Sequence, residues 1–385
     1  MSTDRIFTIA VFEGDGIGPE ITAPCCELLQ QACHRVSSGS ETVSLLLQPL
    51  SAGAATYQAT GDALPRASIQ AARQADAILL SAMGDPAVRY PDGTEITPQI
   101  DLRFELELYA GLRPVRSIPG VPGPLSDSRA ASIDFVLVRE SIEGLFARQA
   151  PARLIGDEQA EETLVITRAI SEKLFDATFA LARRRLGIRL ADGMPGAVRV
   201  TCIDKANVFP AFAFFRKLFN EADLRNNPKD DEGCRAMVSD HAYVDIMAHN
   251  LVTRPWEYDV MVTENMFGDI LSDLGAALIG GMGYAPSADI GDEHAVFQPC
   301  HGSAPDIAGQ GVANPTAMFL SAAMMLEWLA ERNDCEALGK AGRLIVRAVD
   351  EAFAKGRLRT VELGGDSTLD DVAKAVEQQV ATLAV

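Results

Sequence analysis

The chain has 385 residues, of which 48% are hydrophobic and 23% charged, and it carries a formal net charge of −19 at pH 7. This length exceeds what one small core can hold, so we expect two domains or one large α/β unit. The composition excludes a disordered chain, and the negative charge argues against a nucleic-acid partner, because a phosphate backbone needs a basic surface.

The seven cysteines are irregularly spaced and form no CxxC pair. This pattern favours reduced thiols in the cytoplasm over a disulfide framework or a zinc site. The N-terminal residues lead directly into a predicted strand without the apolar stretch of a signal peptide, and no apolar run is long enough to span a membrane. We therefore predict a cytoplasmic protein without a membrane partner.

Short apolar runs alternate with helical patterns, which predicts an α/β architecture with a substantial sheet. The predicted strands are rich in β-branched residues and are bounded by Gly, Asp or Pro. They are Ile6–Phe12, Ala77–Ala82, Phe135–Val138, Val198–Cys202, Val260–Thr263 and Ala295–Phe297. The predicted helices are Arg66–Gln74, Ser171–Leu186 with Gly187 as its C-cap, and His241–Val252.

A glycine-rich turn, Gly14–Pro19, follows the first predicted strand and opens a helix. Its glycines would let the backbone approach a ligand closely. It matches neither the dinucleotide pattern G-x-G-x-x-G nor a phosphate-binding Walker loop. A tight strand-to-helix turn is the alternative interpretation.

Two aspartates, Asp269 and Asp273, lie four residues apart in an otherwise apolar stretch with helical character. On a helix this spacing puts both carboxylates on one face, one turn apart. Two like charges held there repel unless a cation lies between them, and the hard ions Mg²⁺ and Mn²⁺ prefer oxygen ligands. The pair therefore predicts a metal site, with a charge cluster complementing the helix dipole as the alternative.

Three arginines are candidate ligands for an anionic substrate. Arg103 and Arg113 lie near the two ends of a segment with a helical pattern, Asp101–Pro114. Arg139 follows the predicted strand Phe135–Val138. An arginine directly after a buried strand lies at a sheet edge, where α/β proteins usually bind ligands, and guanidinium groups bind carboxylates bidentately. Taken singly, each also fits a surface ion pair.

Lys205 and Asp245 are two further candidates. Lys205 comes soon after a predicted strand, and a lysine near a metal can have its pKa lowered and shuttle protons; a solvated loop lysine is the alternative. Asp245 lies among apolar residues, where it fits a third metal carboxylate or the polar face of an amphipathic helix.

The segment Pro299–Gly309, with Asn314 beyond it, is dense in residues that permit unusual backbone geometry. Such a loop can wrap a nucleotide through main-chain hydrogen bonds. Asp306 within it would accept hydrogen bonds from a ribose diol and repel a 2′-phosphate, which favours NAD over NADP.

Together these residues resemble the β-decarboxylating dehydrogenases, which include 3-isopropylmalate, isocitrate, homoisocitrate, tartrate and D-malate dehydrogenases. The matching motifs run from Gly14–Pro19 to Glu327, and the most specific are Gly268–Leu274 and His301–Gly309. The resemblance implies NAD-dependent oxidative decarboxylation of a 2-hydroxy diacid, with Mg²⁺ or Mn²⁺. A 3-substituted malate such as 3-isopropylmalate is the leading substrate. Tartrate or D-malate, or a non-catalytic regulatory subunit of the same fold, are the alternatives.

The resemblance also implies a role for each candidate residue. Lys205 and Asp245 would be catalytic, and Arg103, Arg113 and Arg139 would bind the substrate carboxylates. The metal ligands would be Asp245, Asp269 and Asp273. The residues expected to bind the cofactor are His301, Gly302, Ala304, Asp306 and Asn314.

The implied fold has two α/β domains that share a large mixed sheet and lacks a standard Rossmann domain. Residues 1–109 and 280–385 would form a discontinuous cofactor-binding domain. Residues 110–279 would form a smaller domain with the substrate and metal residues, the dimer interface and an arm near residues 152–168. In the implied homodimer, Lys205 and Asp245 would reach the partner's site.

The chain departs from the family pattern at three places. Phe146 occupies the position of a catalytic tyrosine, and a phenyl ring cannot donate a proton. Gln298 stands where isopropylmalate enzymes usually have a glutamate. The segment Pro91–Ile100 is more polar than the corresponding alkyl-binding segment, although Ile96 and Ile100 remain candidates for contact with an alkyl group.

Overall fold

The computed structural model describes residues 3–37, 41–147, 152–191, 193, 196–229 and 234–385. Its strands are β1 (Thr3–Phe12), β2 (Glu41–Leu50), β3 (Ala77–Leu80), β4 (Ala110–Arg116), β5 (Asp134–Glu140), β6 (Arg153–Ile155), β7 (Gln159–Glu161), β8 (Val198–Asp204), β9 (Met237–Tyr243), β10 (Val260–Thr263), β11 (Pro286–Ile290) and β12 (Ala295–Pro299). Its α-helices are α1 (Gly18–Val36), α2 (Ala54–Thr60), α3 (Arg66–Gln74), α4 (Pro98–Glu105), α5 (Arg168–Ala191), α6 (Pro210–Asn226), α7 (Val244–Thr253), α8 (Asn265–Leu278), α9 (Thr316–Asn333), α10 (Glu336–Ala354) and α11 (Leu369–Thr382).

The chain divides into two compact units. The first unit comprises Met1–Glu107, Ser117–Pro124 and Ile279–Val385, and the second comprises Leu108–Arg116 and Leu125–Leu278. The prediction of a mixed α/β fold is confirmed, because each unit combines helices with five strands in mixed parallel and antiparallel pairing. The assignment of cofactor and substrate roles to the units stays a prediction.

In the first unit the strand order is β2-β1-β3-β12-β11. All neighbours are parallel except β11 and β12, which are antiparallel. The central strand β3 is buried along its whole length, as expected for a short apolar strand between helices. Helices α1, α9 and α10 bury their apolar faces in this unit.

In the second unit the order is β4-β5-β10-β8-β9. In this order β4 is antiparallel to β5, while β5, β10, β8 and β9 are parallel. Strand β10 is fully buried. Because parallel strands end at the same edge of a sheet, the residues that follow these four strands gather at one edge.

Two predicted helices differ from the structure. The segment predicted as a helix from His241 begins instead as β9, because residues 237–243 pair in parallel with β8, and α7 starts at Val244. Helix α5 continues past Gly187 to Ala191, so Gly187 is not its C-cap. A glycine in an exposed helix costs only about 1 kcal/mol relative to alanine, and good helix formers flank this one.

The segment Asp101–Pro114 is also not one helix. Helix α4 ends at Glu105, and Glu107 has a left-handed backbone with φ of 51°. The chain then enters β4, which contains Arg113. No helix in the described ranges is long and apolar enough to cross a bilayer.

Candidate active site

Several predicted site residues lie at or just after the carboxyl ends of the parallel strands in the second unit. Arg139 is the penultimate residue of β5 and lies beside Thr263, the last residue of β10, which in turn lies beside Ile203 of β8. Lys205 follows β8 directly, and Asp245 is the second residue of the helix that follows β9. The sheet therefore presents the side chains of four consecutive strand ends at this edge.

Arg113 and Arg139 lie on the same face of the β4–β5 pair. Arg113 is opposite Leu137, and Arg139 is two residues further along β5. Because side chains alternate between faces with a period of two, the two arginines are diagonal neighbours on one face. Both residues are 5% exposed.

Helix α8 packs on that face through two glycines seven residues apart. A Cβ on Gly268 would lie 2.6 Å from Cγ of Arg139, and a Cβ on Gly275 would lie 2.8 Å from Cγ2 of Val115. Neither position has room for a larger side chain. The glycines bring the helix close enough for its polar residues to contact Arg139.

Arg139 is held by side chains of this helix. Its Nε and Nη2 donate to Oδ1 of Asn265 at 2.9 and 2.7 Å, and its Nη1 forms an ion pair with Asp269. The ring of Phe146 lies over the guanidinium, with 5.5 Å between Cζ and the ring centroid. The position at which the resemblance implies a catalytic tyrosine is thus beside the arginine.

The Asp269 and Asp273 pair lies on α8, as predicted. Partial burial and then the like charge of Asp269 raise the pKa of Asp273, while Arg139 and Arg113 lower it. Both arginines and both aspartates therefore share one electrostatic environment. Two exposed carboxylates one helical turn apart are a donor set that suits a hard divalent cation.

Lys205 and Asp245 form a separate pair in this chain. Lys205 Nζ donates to Oδ1 of Asp245 at 2.5 Å, and this hydrogen bond lowers the pKa of Asp245. Adjacent strands lie about 4.8 Å apart, so the three spacings from β5 to β9 separate Arg139 from the Asp245 end by about 14 Å. That Asp245 serves another copy's site stays a prediction.

Among the described residues, the three predicted metal ligands do not form a three-ligand cluster, and the cluster that does occur is Cys202, Asp204 and His241. Its central carboxylate is already used, because Arg216 donates to both Asp204 oxygens at 2.7 Å. Burial also raises the pKa of the Cys202 thiol. This cluster is therefore a structural ion pair with a neutral thiol beside it.

Arg103 belongs to the first unit, on α4. Its Nε donates to Oδ2 of Asp289 at 3.0 Å, and Asp289 is fully buried. Gln298 donates to the same oxygen at 2.8 Å. The amide at position 298 thus supports the carboxylate that holds Arg103.

The predicted cofactor residues lie in the loop between β12 and α9 of the first unit. His301 Nδ1 is 3.0 Å from the carbonyl of Gly302, and its buried Nε2 has no hydrogen-bond partner within the described part of the chain. Burial lowers the pKa of His301, so the ring is neutral near pH 7. Ala304 has a positive φ of 38° and Asp306 is exposed.

Asn314 closes this loop at the start of α9. Its Oδ1 accepts hydrogen bonds from the backbone N–H and hydroxyl of Thr316 at 3.1 and 2.7 Å, and its Nδ2 donates to Glu362 at 2.7 Å. The side chain of Asn314 is therefore occupied by Thr316, the first residue of α9, and by Glu362, so contact with a cofactor would use its backbone.

The glycine-rich turn contacts the same loop. Ile17 N donates to the carbonyl of Ser303 at 2.8 Å, and a Cβ on Gly16 would lie 2.0 Å from that oxygen. Asp15 is buried and accepts hydrogen bonds from the backbone N–H groups of residues 54, 55 and 84 at 2.8 to 2.9 Å. The glycines here allow close packing against neighbouring backbone, and contact of this turn with a ligand stays a prediction.

Sequence reasoning missed three residues that organise the site. Asn265 and Asp289 hold Arg139 and Arg103, and Glu264, 1% exposed, accepts hydrogen bonds from the N–H groups of Met266 and Phe267 at the start of α8. In the sequence, the signal that marks Glu264 and Asn265 is a pair of polar residues between a buried strand and an apolar helix. The partner of Asn265, Arg139, is 126 residues away in the chain.

Comparisons with known proteins agree with this architecture. The profile of the isocitrate/isopropylmalate dehydrogenase family matches residues 8–379. The chain is 38% identical to the 3-isopropylmalate/3-methylmalate dehydrogenase of Methanocaldococcus jannaschii over 97% of this chain and 98% of that one. It is 37% identical to the isocitrate/homoisocitrate dehydrogenase of Thermus thermophilus over 98% and 99% of the two chains.

A crystal structure of isocitrate dehydrogenase from Methylococcus capsulatus superposes with a TM-score of 0.79 at 33% identity, covering 97% of this chain and 99% of that one. The predicted fold is therefore confirmed as that of these enzymes. The protein is a member of the isocitrate/isopropylmalate dehydrogenase family.

Proposed function

We propose that the protein is an NAD-dependent, divalent-metal-dependent dehydrogenase that oxidatively decarboxylates a 2-hydroxy diacid. The substrate class is a 3-substituted malate, and 3-isopropylmalate is the leading candidate because relatives at 34–38% identity carry that name. The observation that carries the proposal is the meeting of Arg113 and Arg139 with Asp269 and Asp273 on one face of the second unit.

The residues present fit a divalent cation. The carboxylates of Asp269 and Asp273 are hard oxygen donors, and the mutual repulsion that contributes to the raised pKa of Asp273 is relieved by a cation. Asp245 from a second copy would complete the ligand set. When bound, the cation supplies a Lewis acid that acidifies the substrate hydroxyl, and NAD supplies the hydride acceptor.

The side chains of this protein have three tasks in the proposed reaction. Arg103, Arg113 and Arg139 bind the two substrate carboxylates and orient the β-carboxylate for loss as carbon dioxide. Lys205 of the partner takes the hydroxyl proton through water, with Asp245 beside it as a hydrogen-bond acceptor. The phenyl ring of Phe146 cannot donate a proton, so the final proton comes from Lys205, water or another group.

The loop after β12 fits a nicotinamide cofactor. The buried, unpartnered Nε2 of His301 offers one polar atom to a ligand. Asp306 is exposed and would accept hydrogen bonds from the ribose diol. These features support binding of NAD through His301, Gly302, Ala304, Asp306 and Asn314.

Exposed apolar side chains of the second unit support a homodimer. Ile246 of α7 and Ile270 of α8 are 45% and 63% exposed. The hairpin of β6 and β7 exposes Leu154, and an isolated two-stranded hairpin is only marginally stable in water, so this arm needs a partner. With all seven thiols free, a reduced cytoplasmic setting is part of the proposal.

One observation favours a smaller or more polar substituent. Ile96 is 1% exposed and packs with Ala54, Ala63 and Val88, so its side chain belongs to the core. It is therefore unavailable to an isopropyl group. This supports the alternative of D-malate or tartrate as substrate.

The test is NADH formation with Mn²⁺ and a panel of D-malate, tartrate and 3-isopropylmalate, repeated with NADP. We expect turnover of at least one diacid, faster with NAD, and loss of turnover in Asp273→Asn. Diacid binding without NADH formation would instead support a non-catalytic regulatory subunit. A protein that neither binds nor oxidises any of these acids contradicts the proposal.

A further inference from the structure

We propose that Arg216 is a positioning residue for Lys205 and Asp245, because it holds the ends of the two strands from which these side chains come. The inference rests on the proposed function, which gives Lys205 the substrate's hydroxyl proton and places Asp245 beside it. Arg216 lies on α6, the helix that follows Lys205 in the chain, and all the contacts used here lie within the second unit.

The first strand end is held through Asp204, which is the last residue of β8 and directly precedes Lys205. Asp204 is fully buried, and Nε and Nη2 of Arg216 donate to its two oxygens at 2.7 Å each. A guanidinium and a carboxylate joined by two parallel hydrogen bonds have a defined relative orientation. Arg216 therefore fixes the direction of the Asp204 carboxylate.

The backbone of Lys205 is held on both sides. On one side, Oδ1 of Asp204 accepts a hydrogen bond from the N–H of Ala206 at 2.8 Å. On the other, the carbonyl of Lys205 accepts from the N–H groups of Val208 and Phe209 at 3.1 and 3.2 Å, where the chain turns into α6. The Lys205 side chain thus starts from a backbone that Asp204 and the first turn of α6 fix together.

The second strand end is held through Tyr243, the last residue of β9, which lies opposite Asp204 in the pairing of β8 with β9. The Cζ of Arg216 is 5.1 Å from the centroid of the Tyr243 ring, within the range of a cation–π interaction. Tyr243 is also the N-cap of α7, whose second residue is Asp245. Arg216 thus contacts both strand ends from which Lys205 and Asp245 extend to meet at 2.5 Å.

The pair of Arg216 and Asp204 suits the fixing of geometry better than the gain of stability. The cost of removing two charges from water largely cancels their attraction, so a buried ion pair adds little net stability. Lysine at position 216 would still compensate the charge of Asp204, but its ammonium group lacks the planar fork that holds both oxygens. Arg216→Lys therefore separates positioning from charge.

The experiment measures single-turnover NADH formation by wild type and Arg216→Lys, with Mn²⁺, saturating NAD and the best-oxidised diacid of the panel. We expect the rate to fall about tenfold or more in the variant, because a small displacement of Lys205 slows proton transfer. The KM values for the diacid and for NAD should stay within about twofold of wild type, since the substrate arginines and the cofactor loop are unchanged.

Hydrogen exchange at the N–H of Ala206 gives a readout that does not depend on activity. In wild type this N–H is bonded to the carboxylate that Arg216 holds. In Arg216→Lys we expect it to exchange at least about fivefold faster, because the looser carboxylate protects it less.

Arg235→Lys is the matched control. Arg235 forms an ion pair with Asp223 on the same helix, and the side chains of Arg235 and Arg216 are 29% and 25% exposed. Asp223 also accepts from the hydroxyl of Ser239 on β9 at 2.6 Å, so this pair joins the same two elements further from Lys205. The control should lower the thermal midpoint as Arg216→Lys does, while the rate and the exchange at Ala206 stay unchanged.

The outcomes separate this inference from the proposed function. If wild type oxidises the diacid and Arg216→Lys does so equally fast, or if Arg235→Lys slows the reaction to the same extent, Arg216 has no positioning role. A slower reaction with unchanged exchange at Ala206 would likewise overturn the proposal, because Lys205 would then be held without Arg216. If wild type oxidises no hydroxy diacid, the proposed function fails, and the role of Arg216 fails with it.

Discussion

At the scale of single residues, the site combines charged groups with buried partners that orient them. Arg103 donates to Asp289, which also accepts from Gln298. Arg139 donates to Asn265. The charged residues could be chosen as candidates from the sequence because few residue types bind carboxylates or cations. Their partners could not, because asparagine and glutamine have many structural uses and the contacts span 186 and 126 residues of chain.

Phe146 is the residue whose replacement tests the chemistry most directly. The ring lies beside Arg139, so Phe146→Tyr would place a hydroxyl near the substrate carboxylates. We expect faster formation of the decarboxylated product, by up to about 10²-fold, because a positioned acid accelerates enol protonation. Product ratios under single turnover measure this, with the exposed Phe209→Tyr as control. Unchanged ratios would show that protonation does not limit the reaction.

Gln298 tests the support of Arg103. In Gln298→Glu a second carboxylate would lie within hydrogen-bond distance of the buried Asp289. Repulsion between two buried carboxylates raises the pKa of one of them. The free energy of unfolding should therefore fall by about 1–3 kcal/mol at pH 8, and by less at pH 5, where one of the two carboxyls is protonated. Urea unfolding at both pH values measures this. An equal loss at both would rule out charge repulsion as the cause.

At the scale of elements, the glycines of α8 set the distance between helix and sheet. Gly268→Ala introduces a Cβ 2.6 Å from the stem of Arg139, so we expect a loss of about 1–3 kcal/mol and a higher KM for the diacid. The matched control is Gly187→Ala in α5, which has open space around it and should gain about 0.5–1 kcal/mol. Denaturant midpoints and steady-state kinetics check both. A destabilised Gly187 variant would contradict the helix assignment.

The burial of Glu140, the last residue of β5, predicts that the stability of the protein depends on pH. Burial raises the pKa of Glu140 to about 7, although the backbone N–H groups of Ile142 and Glu143 favour its charged form. The unfolded chain ionises this group near its ordinary value of 4.5. The stabilisation from its bound proton is therefore complete below about pH 4.5 and is lost as the pH rises through about 7.

The comparison variant is Glu140→Gln, which does not titrate. We expect the free energy of unfolding of wild type, minus that of the variant, to fall by up to about 3 kcal/mol between pH 5 and pH 8. Urea titrations at intervals of one pH unit measure the difference. A constant difference would mean that Glu140 is ionised throughout.

The elements also show where sequence patterns fail. Strand β10 and helix α3 were predicted at their observed limits, since each has a strong local pattern. Strand β9 was mistaken for part of a helix, because its only strand partner in the second unit is β8, through a pairing 39 residues away in sequence. Non-local pairing overrides local propensity at such a sheet edge.

At the scale of the whole molecule, the proposed homodimer gives Asp245 and Lys205 their function. Ile270 lies on α8, one residue from Asp269, and is 63% exposed. Ile270→Asp should place a charge in the interface and shift the protein toward a monomer, with about 10²-fold lower activity if sites are shared. Light-scattering mass and turnover measured at several concentrations check this. Fully active monomers would contradict the shared site.

The division of the chain has a consequence for biosynthesis. The second unit is nearly continuous and ends at Leu278, whereas the first needs both Met1–Glu107 and Ile279–Val385. Its strand β3 has β1 and the late-emerging β12 as neighbours. On the ribosome the second unit can thus fold while residues 1–107 still lack residues 279–385, and the apolar surface that such a partly folded chain exposes makes it prone to aggregation.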